Sequence, residues 1–486
     1  MPFCQKQWGN MISTYQTARG MLADLAAKRI SARELLDAHL ARNEVVHGRI
    51  NAIVETDIAR AMKAASAIDE ARAHGEELGA LAGLPMTIKD GLDVEGMPAT
   101  SGNPALANRP KDCADATVVS TARKAGAVIW GKSNVSFMLG DIQSYNEIYG
   151  TTNNPYDLSR VPGGSSGGAA AALAAGITPL EIGSDIGGSL RHPANFCGVV
   201  SLKPTLGALS QRGLVPPLPG EYWEDNIGVV GPLARNIGDL RLLWSVLREA
   251  PSPGRKDIKG ARIAIWDSEM GFPLARGVRE AVTRAGEALA AQGAHVEHAK
   301  PDIDGFELFL PYLTTLSATV AVSMPDKLME SFEAMREVDK KILAEGGADF
   351  AGASQRVRMT ASFREVAQAT MKQQALKDRL VGFFDTGWDA ILMPISPVTA
   401  FPHMHEGSFN DRVLDVDGTP APYLSLLMWI ALATFLHAPS VAVQAGKTET
   451  GLPVGVQLVG RWHDEDRLLD LAAGLEESFG FSPPAL

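Results

Sequence analysis

The chain has little cysteine, no long apolar run and no block of like charge, and each shortage removes a class of protein. Its three cysteines, Cys4, Cys113 and Cys197, lie far apart with no C-x-x-C pair, so neither a disulfide framework nor a structural zinc site is expected. That usage fits a reducing compartment, and a cytoplasmic location is the expectation. The opening MPFCQKQWGNM has no basic segment leading into an apolar one, which speaks against a secretory signal. The longest apolar stretch, YLSLLMWIALATFL over 423–436, is shorter than the roughly 20 residues a spanning helix needs. It reads as a buried helix, and no membrane span is expected. Net charge is −11, and the 45 lysines and arginines form no basic stripe, so nucleic acid is not expected as a direct partner. No Pro/Ser/Gly-rich spacer, charge block or internal repeat divides the chain. One domain over 1–486 is therefore expected, although length alone at about 150 residues per domain suggests about three.

What is present is a 45% hydrophobic sequence of 486 residues, long enough to bury a large core. Apolar residues recur at three- and four-residue steps through TARGMLADLAAKRISARELLDAHLARNEVV, with Ser31 placed to cap a second helix, and again through DIARAMKAASAIDEARAHG. Short apolar runs then read as buried strands: LPMTIK, GAVIWG, ITPLEIG, CGVVSL, ARIAIW, DAILMP and SVAVQ. Alanine-rich helices such as ATVVSTARKAG and GVREAVTRAGEALAAQG alternate with them, which predicts an α/β protein whose sheet is covered on both faces. The expected organisation is N-terminal helices over 11–80, a core over 81–250, a helical insertion over about 303–385, and the rest of the core over 386–486.

Fifteen of the 48 glycines lie between Gly150 and Gly231, and two clusters among them bracket serines: GGSSGG from Gly163 and SDIGGSLR from Ser184. Glycine lets successive backbone N–H groups converge on one point, which suits an oxyanion or a phosphate. No G-x-x-x-x-G-K-[ST] phosphate loop is present. A flexible tether is disfavoured because AAAALAA follows at once and predicts a packed helix. Residues 163–167 also satisfy G-x-S-x-G, the turn that presents a nucleophilic serine in α/β-hydrolases, with Ser165 as the nucleophile of an esterase. That turn needs a strand before it, and NNPYDLSRVP makes a poor one. Lys89 ends the apolar run LPMTIK and is either a surface-seeking side chain or a desolvated base; serine–lysine pairs are a known alternative to Ser-His-Asp. His403, His405 and Glu406 in HMHE have no further ligands at metal spacing, so a surface loop is expected and metal binding is not.

Three segments resemble the amidase signature family: GLPMTIKD, GGSSGGAAAALAAGITPLEIGSDIGGSLRHPANFCGVVSLKPT and GLPVGVQLVGRWHDEDRLLDLAAGLEE. They stand in that family's order and spacing, nearly from end to end. The resemblance implies a large mixed β-sheet sandwiched between α-helices and a Ser-Ser-Lys triad. Matched residue by residue, Ser189 is the nucleophile, Ser165 the bridging serine on a cis peptide bond, and Lys89 the base. The backbone N–H groups of Ile186, Gly187, Gly188 and Ser189 would form the oxyanion hole, and Asp185 and Arg191 would pair to brace the turn. Such a triad needs no metal and no organic cofactor. It does need a neutral lysine, which at a reference pKa of about 10.4 costs roughly 4.6 kcal/mol at pH 7 unless burial depresses it.

Two departures from the family's pattern bear on substrate. Where relatives commonly carry an acidic residue after G-K-[ST]-N, Phe137 and Met138 stand, followed by Leu139 and Gly140; and TFLHAPSVAV puts Phe435, Leu436 and His437 in place of a smaller run. With Leu214, Leu218, Tyr222 and Trp223 from the loop 210–226, they make an apolar entrance the expectation. The implied partner is a small amide or carbamate, aryl amides, urethanes and esters included. One branch of the family is the glutaminase subunit of a tRNA-dependent amidotransferase, which usually carries an F-D-G-x-R-Y-G-like segment; residues 306–384 contain none. Homo-oligomerisation is left open.

Overall fold

The computed structural model describes residues 12–268, 270–346 and 349–486. Cys4, the opening segment read for a leader, and position 11 lie outside the described residues. Among the described residues eleven strands form one mixed sheet: β1 (Ile53–Thr56), β2 (Pro85–Lys89), β3 (Val128–Ser133), β4 (Leu180–Asp185), β5 (Val200–Lys203), β6 (Val229–Ala234), β7 (Arg262–Ile265), β8 (His295–His298), β9 (Ala390–Pro394), β10 (Ser440–Lys447) and β11 (Pro453–Gly460). Their order is β1-β3-β2-β4-β6-β5-β10-β11-β9-β7-β8. The neighbours β3, β2 and β4 run parallel, as do β9, β7 and β8; the strands between them are antiparallel.

Side chains alternate between the faces of a strand, so a strand with no exposed residue is covered on both sides. Every residue of β2, β3, β4, β5, β6, β9 and β11 is buried. The seven apolar runs read as strands take their places with ends moved by at most three residues. Four strands, β1, β6, β8 and β11, escape that reading. In β6, Pro232 argues against a central strand, yet the ladder to β5 ends at Leu233, so the missing amide interrupts no pairing on that side. β1 and β8 are short edge strands held by one neighbour each rather than by an apolar pattern.

The expected helices form, with Ser31 capping Ala32–Ile50 through a full capping box. The segment expected as a helical insertion holds the helices Gly305–Ala321, Asp326–Glu345, Phe350–Met359 and Phe363–Asp385. The single helix expected over 423–436 is instead a 3₁₀ turn, Tyr423–Leu427, and a short helix, Ala431–Phe435. At the break the carbonyl of Trp429 accepts from Gln457 (2.9 Å), so a side chain takes an acceptor that a continuous helix would use, while the carbonyl of Ile430 accepts both Arg191 (3.0 Å) and the amide of Thr434 (3.2 Å). No helix among the described residues is long and apolar enough to cross a membrane.

Candidate active site

Parallel pairing of β2 with β4 aligns Thr87 with Glu181 and Ile88 with Ile182, which sets Lys89 beside Ser184 at the carboxyl ends of two neighbouring strands. Such strand ends are where open α/β sheets bind ligands. Lys89 is fully buried, and its Nζ lies 2.8 Å from Ser165 Oγ and 2.9 Å from Ser184 Oγ. Burial lowers its pKa to about 7, against the opposing pull of Asp185 and Glu181. Glu181, also buried, accepts from Thr87 Oγ1 at 2.5 Å, and burial pushes its pKa up to about 8.

Ser165 sits on the loop entering the helix Gly167–Ala174, and the Gly164–Ser165 peptide is cis. Ser144 holds this loop: its Oγ donates to the carbonyl of Gly163 and accepts from the amide of Gly167, both at 3.0 Å. Gly164 allows a close approach, since a Cβ there would lie 2.5 Å from the backbone oxygen of Asp141 and nitrogen of Gln143. No strand runs into Ser165; Asn154 and Arg160 make isolated bridges only. The strand-to-helix turn that the G-x-S-x-G reading requires is therefore missing at Ser165. It occurs at Ser189, between β4 and the helix Arg191–Cys197.

Arg191 and Asp185 brace that turn from beneath. Asp185 takes Arg191 Nε at 3.0 Å and Nη2 at 2.9 Å, and accepts the amides of Gly188 (2.9 Å) and Leu190 (3.1 Å). The other N–H groups of Arg191 reach Ile430 O, Gln457 Oε1 and Thr434 Oγ1, so all five guanidinium donors are used. Burial alone would raise the Asp185 carboxyl; the adjacent Arg191 guanidinium more than reverses this and holds it well below the carboxylate range. Removing Arg191 leaves a buried charge unmatched. Arg191→Met is expected to cost about 3–5 kcal/mol in urea unfolding. A loss below about 1 kcal/mol, the range of exposed pairs, would show that Asp185 is balanced otherwise.

One expected oxyanion donor is corrected. The amide of Gly188 is spent on Asp185, leaving Ile186, Gly187 and Ser189 as the donors to consider. Gly188 has φ +89°, and a Cβ there would lie 2.4 Å from the His192 ring, so its conformation serves the turn rather than the oxygen. Tyr312, from the helical insertion, donates its hydroxyl to the carbonyl of Ile186 at 3.1 Å.

Ser165, Ser189, Ile186 and Gly187 open on a cavity of about 230 Å³ whose walls include Leu214, Trp223, Leu313, Leu316, Val320, Met324, Met359, Leu424 and Leu427. Met138, Leu139 and Gly140 line it as well. Met138 (φ 48°) and Leu139 (φ 57°) are left-handed, and this tight turn leaves the ring of Phe137 half in solvent, off the cavity wall. Leu218 and Tyr222 are also exposed and off the wall; Tyr222 is turned toward Glu224 (Oη to Oε1, 3.2 Å) and lies under Arg212. Phe435 is fully buried against Tyr312, a core residue. Those four are corrections to the expected substrate contacts. Ser184, Ser144, Tyr312 and most of the cavity's insertion residues were not singled out in the sequence; only Ser184 had a signal, inside the second glycine cluster. Among the described residues no cluster of His, Cys, Asp or Glu is arranged to hold a metal ion, and His405 stacks on Tyr145 at 4.0 Å.

Fold and site together define a class: a large mixed-sheet α/β chain with a buried lysine and neighbouring serines at the mouth of an apolar cavity. The chain belongs to the amidase family, the amidase-signature enzymes that act on C–N amide bonds, and that family's model matches residues 34–469. Among curated proteins it is similar to a glutamyl-tRNA(Gln) amidotransferase subunit of Salinispora tropica, 33% identical over 502 aligned positions covering 96% of this chain and 98% of that one. Among solved structures it is similar to an amidase (TM-score 0.76, 28% identity, covering 96% of this chain and 100% of that one). It is also similar to 6-aminohexanoate cyclic dimer hydrolase complexed with substrate (TM-score 0.76, 26% identity, covering 96% and 98%).

Proposed function

We propose that the chain hydrolyses small, largely apolar amides through a serine acyl-enzyme, with Ser189 as nucleophile, Ser165 as proton relay and Lys89 as base. The observation that carries this reading is a fully buried lysine, near neutrality, 2.8 Å from Ser165 Oγ. Neutral Lys89 accepts a proton through Ser165 as Ser189 Oγ bonds to the carbonyl carbon. The oxygen that becomes negative is met by the amides of Ile186, Gly187 and Ser189. The same proton returns to the nitrogen, the C–N bond breaks and the amine leaves. Water then attacks the ester carbonyl, giving the acid and restoring Ser189. No step calls on a metal or organic cofactor.

The cavity's leucines and methionines favour aryl or alkyl amides and carbamates over free glutamine or acetamide. The purified chain alone is expected to turn over apolar anilides with at least about tenfold higher kcat/KM than glutamine, one missing methylene being worth roughly 1–3 kcal/mol in such a pocket. A second reading, the glutaminase subunit of a tRNA-dependent amidotransferase, is favoured by the Salinispora tropica relative at 33% identity. Steady-state assays of anilides, aliphatic amides, esters, carbamates and glutamine separate the two. Glutaminase activity that appears only with partner subunits and tRNA would replace the first reading with the second.

A further inference from the structure

Among the described residues four ionisable side chains line the cavity, and three already have strong partners. Asp141 takes Arg412 and the hydroxyl of Tyr423 (2.8 Å), Asp185 takes Arg191, and Asp225 accepts the amides of Ile227 (2.8 Å) and Gly228. The fourth is Arg358, on the helix Phe350–Met359 of the insertion. It donates from Nη1 to Ser354 Oγ one turn earlier, while its Nε is shielded from solvent with no hydrogen-bond partner. The carboxylates nearby in sequence are spent on its neighbours: Asp339 and Asp349 on Arg356, Glu365 on Arg336. Burial draws the Arg358 pKa down to about 10, as expected for a cation drawn from water with no carboxylate paired to it among the described residues, and it stays charged at neutral pH. A guanidinium kept in this state next to an apolar wall has the shape and charge to take a carboxylate with two parallel hydrogen bonds.

We propose that Arg358 anchors a carboxylate at the end of the substrate remote from the scissile bond, so that the preferred substrates are amides with an apolar body and an anionic terminus. The assignment rests on the amide-hydrolase reading, since the same cavity holds Ser189. Leu316, Val320, Met324 and Met359 line the same cavity and offer an apolar wall to the body of such a substrate.

The test uses matched pairs that differ only in the terminal group. Mono-p-nitroanilides of straight-chain diacids are compared with p-nitroanilides of the corresponding alkanoic acids, placing the charge on the acyl side. N-acyl-4-aminobenzoates are compared with N-acyl anilides, placing it on the amine side. The unaltered chain should favour the carboxylate member of one series by at least about tenfold in kcat/KM, the scale of a charge-assisted pair. Arg358→Gln should bring that ratio to within about twofold of unity, and Arg358→Lys should recover part of it. A ratio near unity in the unaltered chain, or one unchanged in Arg358→Gln, overturns the assignment.

Calorimetric titration of the Ser189→Ala chain with the same pairs reads binding without turnover, and does not depend on the Arg358 variants folding. Tighter binding of the carboxylate member there, with no hydrolysis of either by the unaltered chain, would keep the anchor and remove the hydrolase reading. Hydrolysis of both at equal kcat/KM with equal binding would do the reverse.

Discussion

Replacing Ser189 with alanine is expected to abolish amide hydrolysis, with kcat falling on the order of 10⁴-fold or more, as when an activated serine is removed from a relay. Ser189 is the serine carried on a strand-to-helix turn, and it lines the cavity together with Ile186 and Gly187. A serine-directed fluorophosphonate should therefore add one label, on the peptide containing Ser189, and Ser189→Ala should lose both the label and turnover. Ser165→Ala should keep the label but acquire it slowly, because the proton then lacks its route to Lys89. Mass spectrometry of the labelled peptide decides the matter. A label on Ser165 that survives Ser189→Ala would make Ser165 the nucleophile.

Lys89 should control the pH dependence. Only its neutral form accepts a proton, and with a pKa of about 7 the neutral fraction is about half at pH 7. Below the pKa it falls about tenfold per pH unit. The expected kcat/KM thus rises through an inflection near pH 7 and levels on the alkaline side. Histidines do not offer the same curve here. Burial keeps His192 near 3, so it stays neutral throughout, and His437 lies off the cavity with its ring against Lys377 (2.8 Å) and Gln373 (3.0 Å). Lys89→Ala should remove most amide hydrolysis, about 10²–10⁴-fold, while sparing more of the ester hydrolysis, because an amine must receive a proton to leave and an alkoxide needs it less. Lys89→Arg should fail likewise, since guanidinium stays charged at any usable pH. Matched amide and ester substrates give the profiles. Near-normal amide turnover by Lys89→Ala, or the same inflection in that variant, would remove lysine from the mechanism.

Much of this arrangement was legible locally. Largely apolar runs such as LPMTIK and DAILMP mark strands buried on both faces, because a covered strand favours apolar side chains on both sides. The glycine clusters mark loops with demands that other residues cannot meet, as at Gly164 and Gly188. Pattern reading failed where pairing outweighed local preference, in β6 with Pro232 and in the edge strands β1 and β8. It failed again over 423–436, where Gln457 reaches from a distant strand to take the carbonyl of Trp429.

By itself the sequence determined the elements and the residue types at their ends: a lysine finishing one strand, an Asp and a glycine turn finishing another, and serines framed by glycine. These follow from side-chain period and backbone freedom, which are local. Tertiary structure alone decided that Lys89 meets Ser165, 76 residues away, through the parallel register of β2 and β4 and the loop held by Ser144. It decided that Lys89 is near neutrality, because desolvation comes from everything packed around a group and not from its neighbours in the chain. It also decided which amides of the glycine turn can be proposed as oxyanion donors, since Asp185 takes that of Gly188, and it brought Tyr312 to Ile186 and Arg358 to the cavity. Charge balance, dryness and the shape of a cavity are sums over residues far apart in sequence, and they exist only once the chain has folded.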